Sequence, residues 1–271
     1  MRIVFLGDIV GRKGREAVEE HLPPLRASLK PDFIIINGEN AAAGFGITAK
    51  ICDQLFDLGA DVITLGNHAW DQKEALHLVE EEPRLIRPLN FPKGTPGKGV
   101  GLFEARNGQQ VLVINAMGQL FMNMTDDPWL SIEAELANAP LGEVADAVVL
   151  DFHAEATSEK MAMGHFVDGK ASLCVGTHTH VPTADYQILP GGTAYQTDAG
   201  ACGSYDSVIG MDKEEPVNRF ITKVNRARLE PASGPGTMCG TFVETDDKTG
   251  LATRVEPIRM GGRLTRALPE G

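Results

Sequence analysis

Residues 173–180 read LCVGTHTH. An apolar run turns at Gly176 and ends in two histidines separated by one threonine. On an extended chain, residues two apart point to the same side, so His178 and His180 would aim their imidazoles at one spot just past a strand end. Two converging imidazoles usually signify a metal, and a pair of solvated loop histidines is the plain alternative. Recurrence separates the two readings, because other apolar runs in this chain end in the same manner.

Working outward, RIVFLGD (2–8), DFIIINGEN (32–40), DVITLGNH (61–68) and ADAVVLDFH (145–153) are all apolar strands closing on polar residues. A helical pattern over 12–29 separates the first two, with Pro23-Pro24 expected to break or kink it. Thr48 caps a second helix with an apolar face of Ile51, Leu55 and Leu58, ended by Gly59. Asp71 is read as the cap of a third, with Glu74 in the capping-box position and Pro83 as its stop. Strand–helix alternation of this kind argues for parallel strands in right-handed crossovers.

Hairpin signals follow. Segments 99–105 and 110–117 flank Asn107-Gly108, 184–189 and 193–198 flank Gly191-Gly192, and 237–245 and 251–258 flank the turn at 246–250. Helices are expected near 128–139, from Thr157 to Gly169, and over 215–224. The loop at 231–236 lies too near the end to bound a second domain. Residues 1–271 therefore read as a single α/β domain, in which two sheets, built largely from the two halves of the chain, pack between outer helices.

A formal net charge of −12 over 271 residues makes long nucleic acid a poor default partner, although a small phosphate ester can bind where local cations outweigh the field. Four isolated cysteines form no C-x-x-C pair, which excludes a zinc knuckle or a redox motif. With no signal-peptide pattern and no apolar stretch long enough to span a bilayer, the expectation is a soluble cytoplasmic protein without a membrane partner. A homo-oligomer is compatible with all of this.

The strand ends collect Asp8, Glu39, Asn40, Asn67, His68, His153, His178 and His180. Ligands bind at the carboxyl ends of strands in open α/β sheets. Each residue has a structural alternative: Asp8 as a helix cap, Asn40 or Asn67 as turn residues, His153 as a satisfied buried histidine. Together they are hard to assign to turns. Carboxylate, amide and imidazole donors without thiolate suit a pair of transition metals: manganese, iron, zinc or cobalt. Two metals in such sites lie about 3.5–4 Å apart. Two dications at that separation repel by roughly 16 kcal/mol at an effective dielectric near 20, so an anion must bridge them. Glu39 is the expected bridge, with a hydroxide as the second. Two dications, two carboxylates and one hydroxide leave a single positive charge, which suits a monoanionic phosphodiester. Because adjacent strand residues face opposite ways, Asn67 is expected as a ligand and His68 as the group facing substrate, protonating the leaving oxygen or stabilising the phosphorane. Asp71 could orient His68 instead of capping the helix.

The blocks GDIVGRKGR, INGEN, TLGNHAWD, DFHAEATSEK, VGTHTHVPTAD and YDSVIG resemble the calcineurin-like metallophosphoesterases, and within them the YmdB-like branch. The resemblance implies a four-layer α/β/β/α sandwich with two mixed sheets and a two-metal site. It implies Asp8, Glu39, Asn40 and His180 around one metal, Glu39, Asn67, His153 and His178 around the other, and His68 as the catalytic residue. It also implies hydrolysis of phosphodiesters, notably 2′,3′-cyclic nucleotides, with iron or manganese. Relative to the broad superfamily, the D-x-H start is Asp8-Ile9-Val10 here, and Glu39 stands for the usual bridging aspartate. Asn40 fills part of the gap, and the YmdB-like branch shares these changes. The expected function is a dinuclear-metal phosphodiesterase using a metal-bridging hydroxide. The rival readings are a regulatory protein that keeps the metal site for ligand binding, and a metal-free α/β binding domain.

Overall fold

The computed structural model describes residues 1–270, so Gly271, the last residue of the expected domain, lies outside the described residues. The first half is built from β1 (Arg2–Leu6), α1 (Gly11–Leu29), β2 (Phe33–Asn37), α2 (Ala49–Asp57), β3 (Val62–Thr64), α3 (Ala75–Glu81) and β4 (Leu85–Ile86). Then come β5 (Val100–Glu104), β6 (Gln110–Met117), α4 (Pro128–Asn138), β7 (Ala147–His153), α5 (Thr157–Phe166) and β8 (Leu173–Thr177). The chain closes with β9 (Gln187–Ile188), β10 (Ala194–Gln196), β11 (Gly203–Ser204), α6 (Glu214–Thr222), β12 (Gly236–Thr245) and β13 (Ala252–Gly261).

Strands β1 to β4 run parallel, as the strand–helix alternation implies. The second sheet has the order β5-β6-β7-β8-β10-β9, parallel from β6 to β10 with antiparallel edges. The expected division of the sheets between the two halves of the chain needs a correction. Strands β11 to β13 return to the first sheet, where β12 pairs antiparallel with β1, residue Ile3 opposite Val243.

Alternation along the strands creates the layers. Ile3 and Phe5 of β1, Phe33 and Ile35 of β2, Val111 and Val113 of β6, and Leu173 and Val175 of β8 meet in one core between the sheets. Their neighbours Val4, Leu6, Ile34 and Ile36 face α1, whose Val18, Leu22, Leu25 and Leu29 follow the helical period. On the far side, Leu112, Ile114, Val148 and Leu150 face Ile132 and Leu136 of α4 and Met163 of α5. Three apolar cores stacked in this way give the four-layer α/β/β/α sandwich.

Pro23 and Pro24 do not break α1, contrary to the sequence expectation. Both are exposed, as are Glu19 and Glu20, whose carbonyls lose their helical donors. Water can satisfy those carbonyls, while the buried leucines hold the helix on the sheet.

The inter-sheet face changes character toward the carboxyl ends of its strands. Asn37, Thr64, Asp151, His153 and Thr177 continue the same parity as the apolar residues before them, and all are buried. The candidate site residues therefore sit where the dry core between the sheets gives way to polar groups.

Candidate metal centre

Asp151 lies deepest in this polar region and organises it. Its Oδ1 accepts from Thr177 Oγ1 at 2.7 Å, and its Oδ2 accepts from Thr64 Oγ1 at 2.5 Å and Asn37 Nδ2 at 3.0 Å. Burial pushes its carboxyl up to about 6, against the pull of His153 and the two hydroxyls. Asn37 Oδ1 in turn accepts from the Glu39 backbone N–H. One buried carboxylate thus ties strands of both sheets together directly beneath the strand ends.

Above it, Glu39 is the hub. Its Oε1 lies 3.2 Å from His153 Nε2 and accepts from Asn40 Nδ2 at 3.0 Å, while its Oε2 accepts from the His68 N–H at 3.1 Å. Burial alone would raise its pKa, but His153 and His68 together outweigh burial and bring it to about 2. Two groups of ligand atoms share this carboxylate: Glu39, His153 and His178 on one side, and Asp8, Glu39 and His180 on the other. Within each group the atoms lie within 4.8 Å of one another.

Each of the three histidines is turned by a partner on its outer nitrogen. Thr177 has given its only proton to Asp151, so its Oγ1 accepts from His153 Nδ1, 2.9 Å away. That leaves His153 Nε2 facing Glu39, Asn67 Oδ1 at 2.9 Å and His178 Nδ1 at 3.2 Å. His178 Nε2 lies 3.2 Å from Glu155 Oε2, which leaves Nδ1 for the centre. His180 Nδ1 donates to the Ile209 carbonyl at 2.7 Å, which leaves Nε2 toward Asp8 Oδ1 at 3.7 Å. Ile209 holds that carbonyl in place with φ of 48°, a left-handed conformation that is costly for a β-branched residue. Outer partners that fix imidazole tautomers are characteristic of metal-ligating histidines.

The residues fit a pair of cations in other ways. His153 Nε2 and His178 Nδ1, both on the inner side of their rings, repel unless a proton or a metal lies between them. Among the described residues, Asp8 Oδ1 and Asn40 Oδ1 are buried without a hydrogen-bond partner. A Cβ on Gly66 would collide with Glu39 Oε2 and His153 Nε2, so glycine keeps that side of the cluster open. Burial raises the Asp8 pKa more than His180 and His153 lower it, so an ionised carboxylate at this depth calls for further positive charge beside it. The four cysteines are all buried, and neither ligand group includes one.

The expected residues Asp8, Glu39, Asn40, Asn67, His153, His178 and His180 all meet here, by routes that differ in part from those read in the sequence. His178 and His180 are not on an extended strand: β8 ends at Thr177, and both histidines have positive φ, 91° and 65°. They consequently serve opposite sides of Glu39 instead of one spot. Asn67 and His68 likewise lie in a turn beyond β3, so strand alternation is not what separates them. Asp71 does not cap α3, which starts at Ala75 after an uncapped Glu74. Its Oδ2 lies 2.8 Å from His68 Nδ1 instead, the lesser of the two roles read for it. The isolated turn at 69–74 displaces the helix start and frees that carboxylate.

Sequence reasoning missed Glu155, although it stands two residues after His153, a spacing that returns a side chain to the same side of an extended chain. Arg12 and Lys13 both pair with Glu16, at 2.6 and 2.7 Å.

Comparison with known proteins agrees with this geometry. Residues 4–258 match the family of YmdB-like proteins. A Bacillus subtilis 2′,3′-cyclic-nucleotide 2′-phosphodiesterase is 49% identical over 258 residues, covering 95% of this chain and 96% of its own. A crystal structure of a hypothetical protein from Thermus thermophilus superposes with a TM-score of 0.90 at 42% identity, covering 97% of this chain and 100% of that one. The crystal structure of a novel phosphatase from Mycoplasma pneumoniae gives a TM-score of 0.90 at 34% identity, covering 96% and 93%. With the match running through every strand end that carries a ligand-type side chain, the chain belongs to the YmdB-like branch of the calcineurin-like metallophosphoesterases.

Proposed function

We propose that the cluster around Glu39 is a dinuclear metal centre that hydrolyses small phosphodiesters of the 2′,3′-cyclic nucleotide class. Membership of the family makes the chain a phosphoric ester hydrolase. The observation that carries the finer reading is the set of three histidines, each pinned on one nitrogen so that the other faces a shared carboxylate. Asp8, Glu39, Asn40 and His180 would hold one ion, and Glu39, Asn67, His153 and His178 the other. Oxygen and nitrogen donors without sulfur suit iron, manganese, zinc or cobalt, and the family resemblance favours iron or manganese among these. Bound there, two such ions supply positive charge for the phosphoryl oxygens and make water acidic enough to act at neutral pH.

The chain's own residues complete the reaction. Hydrolysis adds water across one ring ester, its oxygen to phosphorus and a proton to the ribose oxygen that departs. Asp71 holds His68 Nδ1, leaving Nε2 without a protein partner among the described residues. A proton carried on His68 Nε2 passes to the leaving oxygen. The Phe45 ring, edge-on to His68 at 5.1 Å between centroids, limits the ring's movement.

The test is hydrolysis of 2′,3′-cyclic AMP by manganese- or iron-loaded protein, with and without chelator. His68→Ala should lower turnover by about 10²–10⁴-fold with metal content unchanged. Metal-loaded protein that is inert on diesters overturns the proposal.

A further inference from the structure

Beside His68 lies a cavity of about 380 Å³ lined by Phe45, Asp71, Gln72, Arg219, Arg228 and Leu229. It adjoins a second of about 410 Å³ through the shared Arg219 and Leu229, and Ile209, whose carbonyl holds His180, lines that second cavity. The two together run from the His68 side of the cluster to the His180 side.

The groove is lined by three cations, Arg219, Lys223 and Arg228, against one acid, Asp71, the opposite balance to the protein's. The chain carries 37 acidic and 25 basic residues, yet 216–229 contains Arg219, Lys223, Arg226 and Arg228 and no acid. Arg219 is committed: its Nε bonds Glu215 at 2.8 Å. Lys223 and Arg228, which line the groove, are exposed and form no ion pair with a carboxylate among the described residues. Unpaired cations lining a groove next to a reacting phosphate, on an otherwise anionic surface, suit another anion of the same substrate.

Building on the phosphodiesterase reading above, we propose that this groove is a second-phosphate subsite. It binds a phosphate carried on the leaving side of the nucleotide, with Arg228 as its principal contact and Lys223 further along. The preferred substrate is then a 2′,3′-cyclic nucleotide that also bears a 5′-phosphate, either as a mononucleotide or as the end of an oligoribonucleotide. An exposed guanidinium at such a position discriminates modestly and loses its effect with salt.

The experiment is calorimetric titration of the metal-loaded protein with adenosine 3′-monophosphate, adenosine 3′,5′-bisphosphate and a short oligoribonucleotide ending in a 3′-phosphate. The expected result is bisphosphate binding about three- to fivefold tighter than monophosphate at low salt. In Arg228→Gln that ratio falls toward one, whereas in Lys248→Gln, at the remote β12–β13 turn, it persists. Tighter binding of the oligonucleotide than of the bisphosphate, lost in Lys223→Gln, assigns an RNA end as the source of the second phosphate, and equal binding assigns the mononucleotide. Equal affinities for monophosphate and bisphosphate, or a ratio that survives Arg228→Gln, overturn the subsite. Turnover of 2′,3′-cyclic AMP by the same preparation tests the phosphodiesterase reading separately, because the affinity ratio needs no catalysis.

Discussion

The two halves of the cluster are built differently. The side with His153 and His178 is anchored on the second sheet through His153, the last residue of β7, whose ring is fixed from below by Thr177 and Asp151 within strands, with His178 following directly on β8. The side with Asp8 and His180 depends on loops, since His180 is oriented by a carbonyl from the strained Ile209, far along the chain. The sheet-borne side is also the more open, with the His178 side chain 22% exposed and Glu155 50% exposed, whereas Asp8 and His180 are nearly sealed. The sheet gives one side rigidity by its hydrogen-bond ladder. The other must obtain it from burial and backbone strain. Glu39 alone belongs to both.

The largest effect should therefore come from the shared residue. Glu39→Gln keeps the shape and removes the charge, and we expect both metals to be lost, each affinity falling by more than the roughly 10–100-fold typical of an outer partner. Retention of one full equivalent by elemental analysis would show that the two sides do not share this ligand.

Thr177→Val should separate the sides. It removes the acceptor of the His153 Nδ1 proton but touches nothing around His180. Affinity on the sheet-borne side should fall by roughly 10–100-fold, with the other side held closer to its original value. Two-site calorimetry reads this directly, and equal weakening of both sites contradicts the contrast.

The smallest effect is a pH dependence confined to the sheet-borne side. In the metal-free protein, burial lowers the His153 pKa, but the carboxylates of Glu39, Asp8 and Asp151 together outweigh burial and bring it to about 9. Burial and the charged His153 push His178 to about 3, so of the two rings it is His153 that carries the charge at neutral pH. A folded-state pKa raised from 6.5 contributes stability that is full below about 6.5 and lost as pH rises through about 9. A metal must displace that proton, so it competes better as pH rises. The rise in melting temperature on adding manganese should widen between pH 6.5 and 9. A constant increment across that range would place the proton elsewhere.

What the sequence makes legible follows from which physical rules are local. Apolar runs ending in Asp8, Glu39, Asn67 and His153 can be read because strand burial and ligand chemistry are both written in consecutive residues. Runs as apolar as β1, β2, β6 and β7 imply cover on both faces, whereas the count of four layers comes from the family resemblance. The directions of side chains in loops are not readable. His178 and His180 depend on two left-handed residues that an H-T-H spacing does not announce. Asp71 looks like a helix cap because its capping-box partner Glu74 is in register, and only the tertiary position of His68 draws it away. The return of β12 to β1 is equally silent, because a hairpin signal says nothing about which sheet will receive it.

That return has a consequence for biosynthesis. Until residues 236–245 have been made, the first strand has a neighbour on one flank only, and its other row of amides and carbonyls is bare. The β1–β4 segment thus leaves the ribosome with an adhesive border next to Asp8, which the β12–β13 hairpin later closes. Chains that stall or are cut before that point should self-associate, so in this fold a strand made late protects one made early.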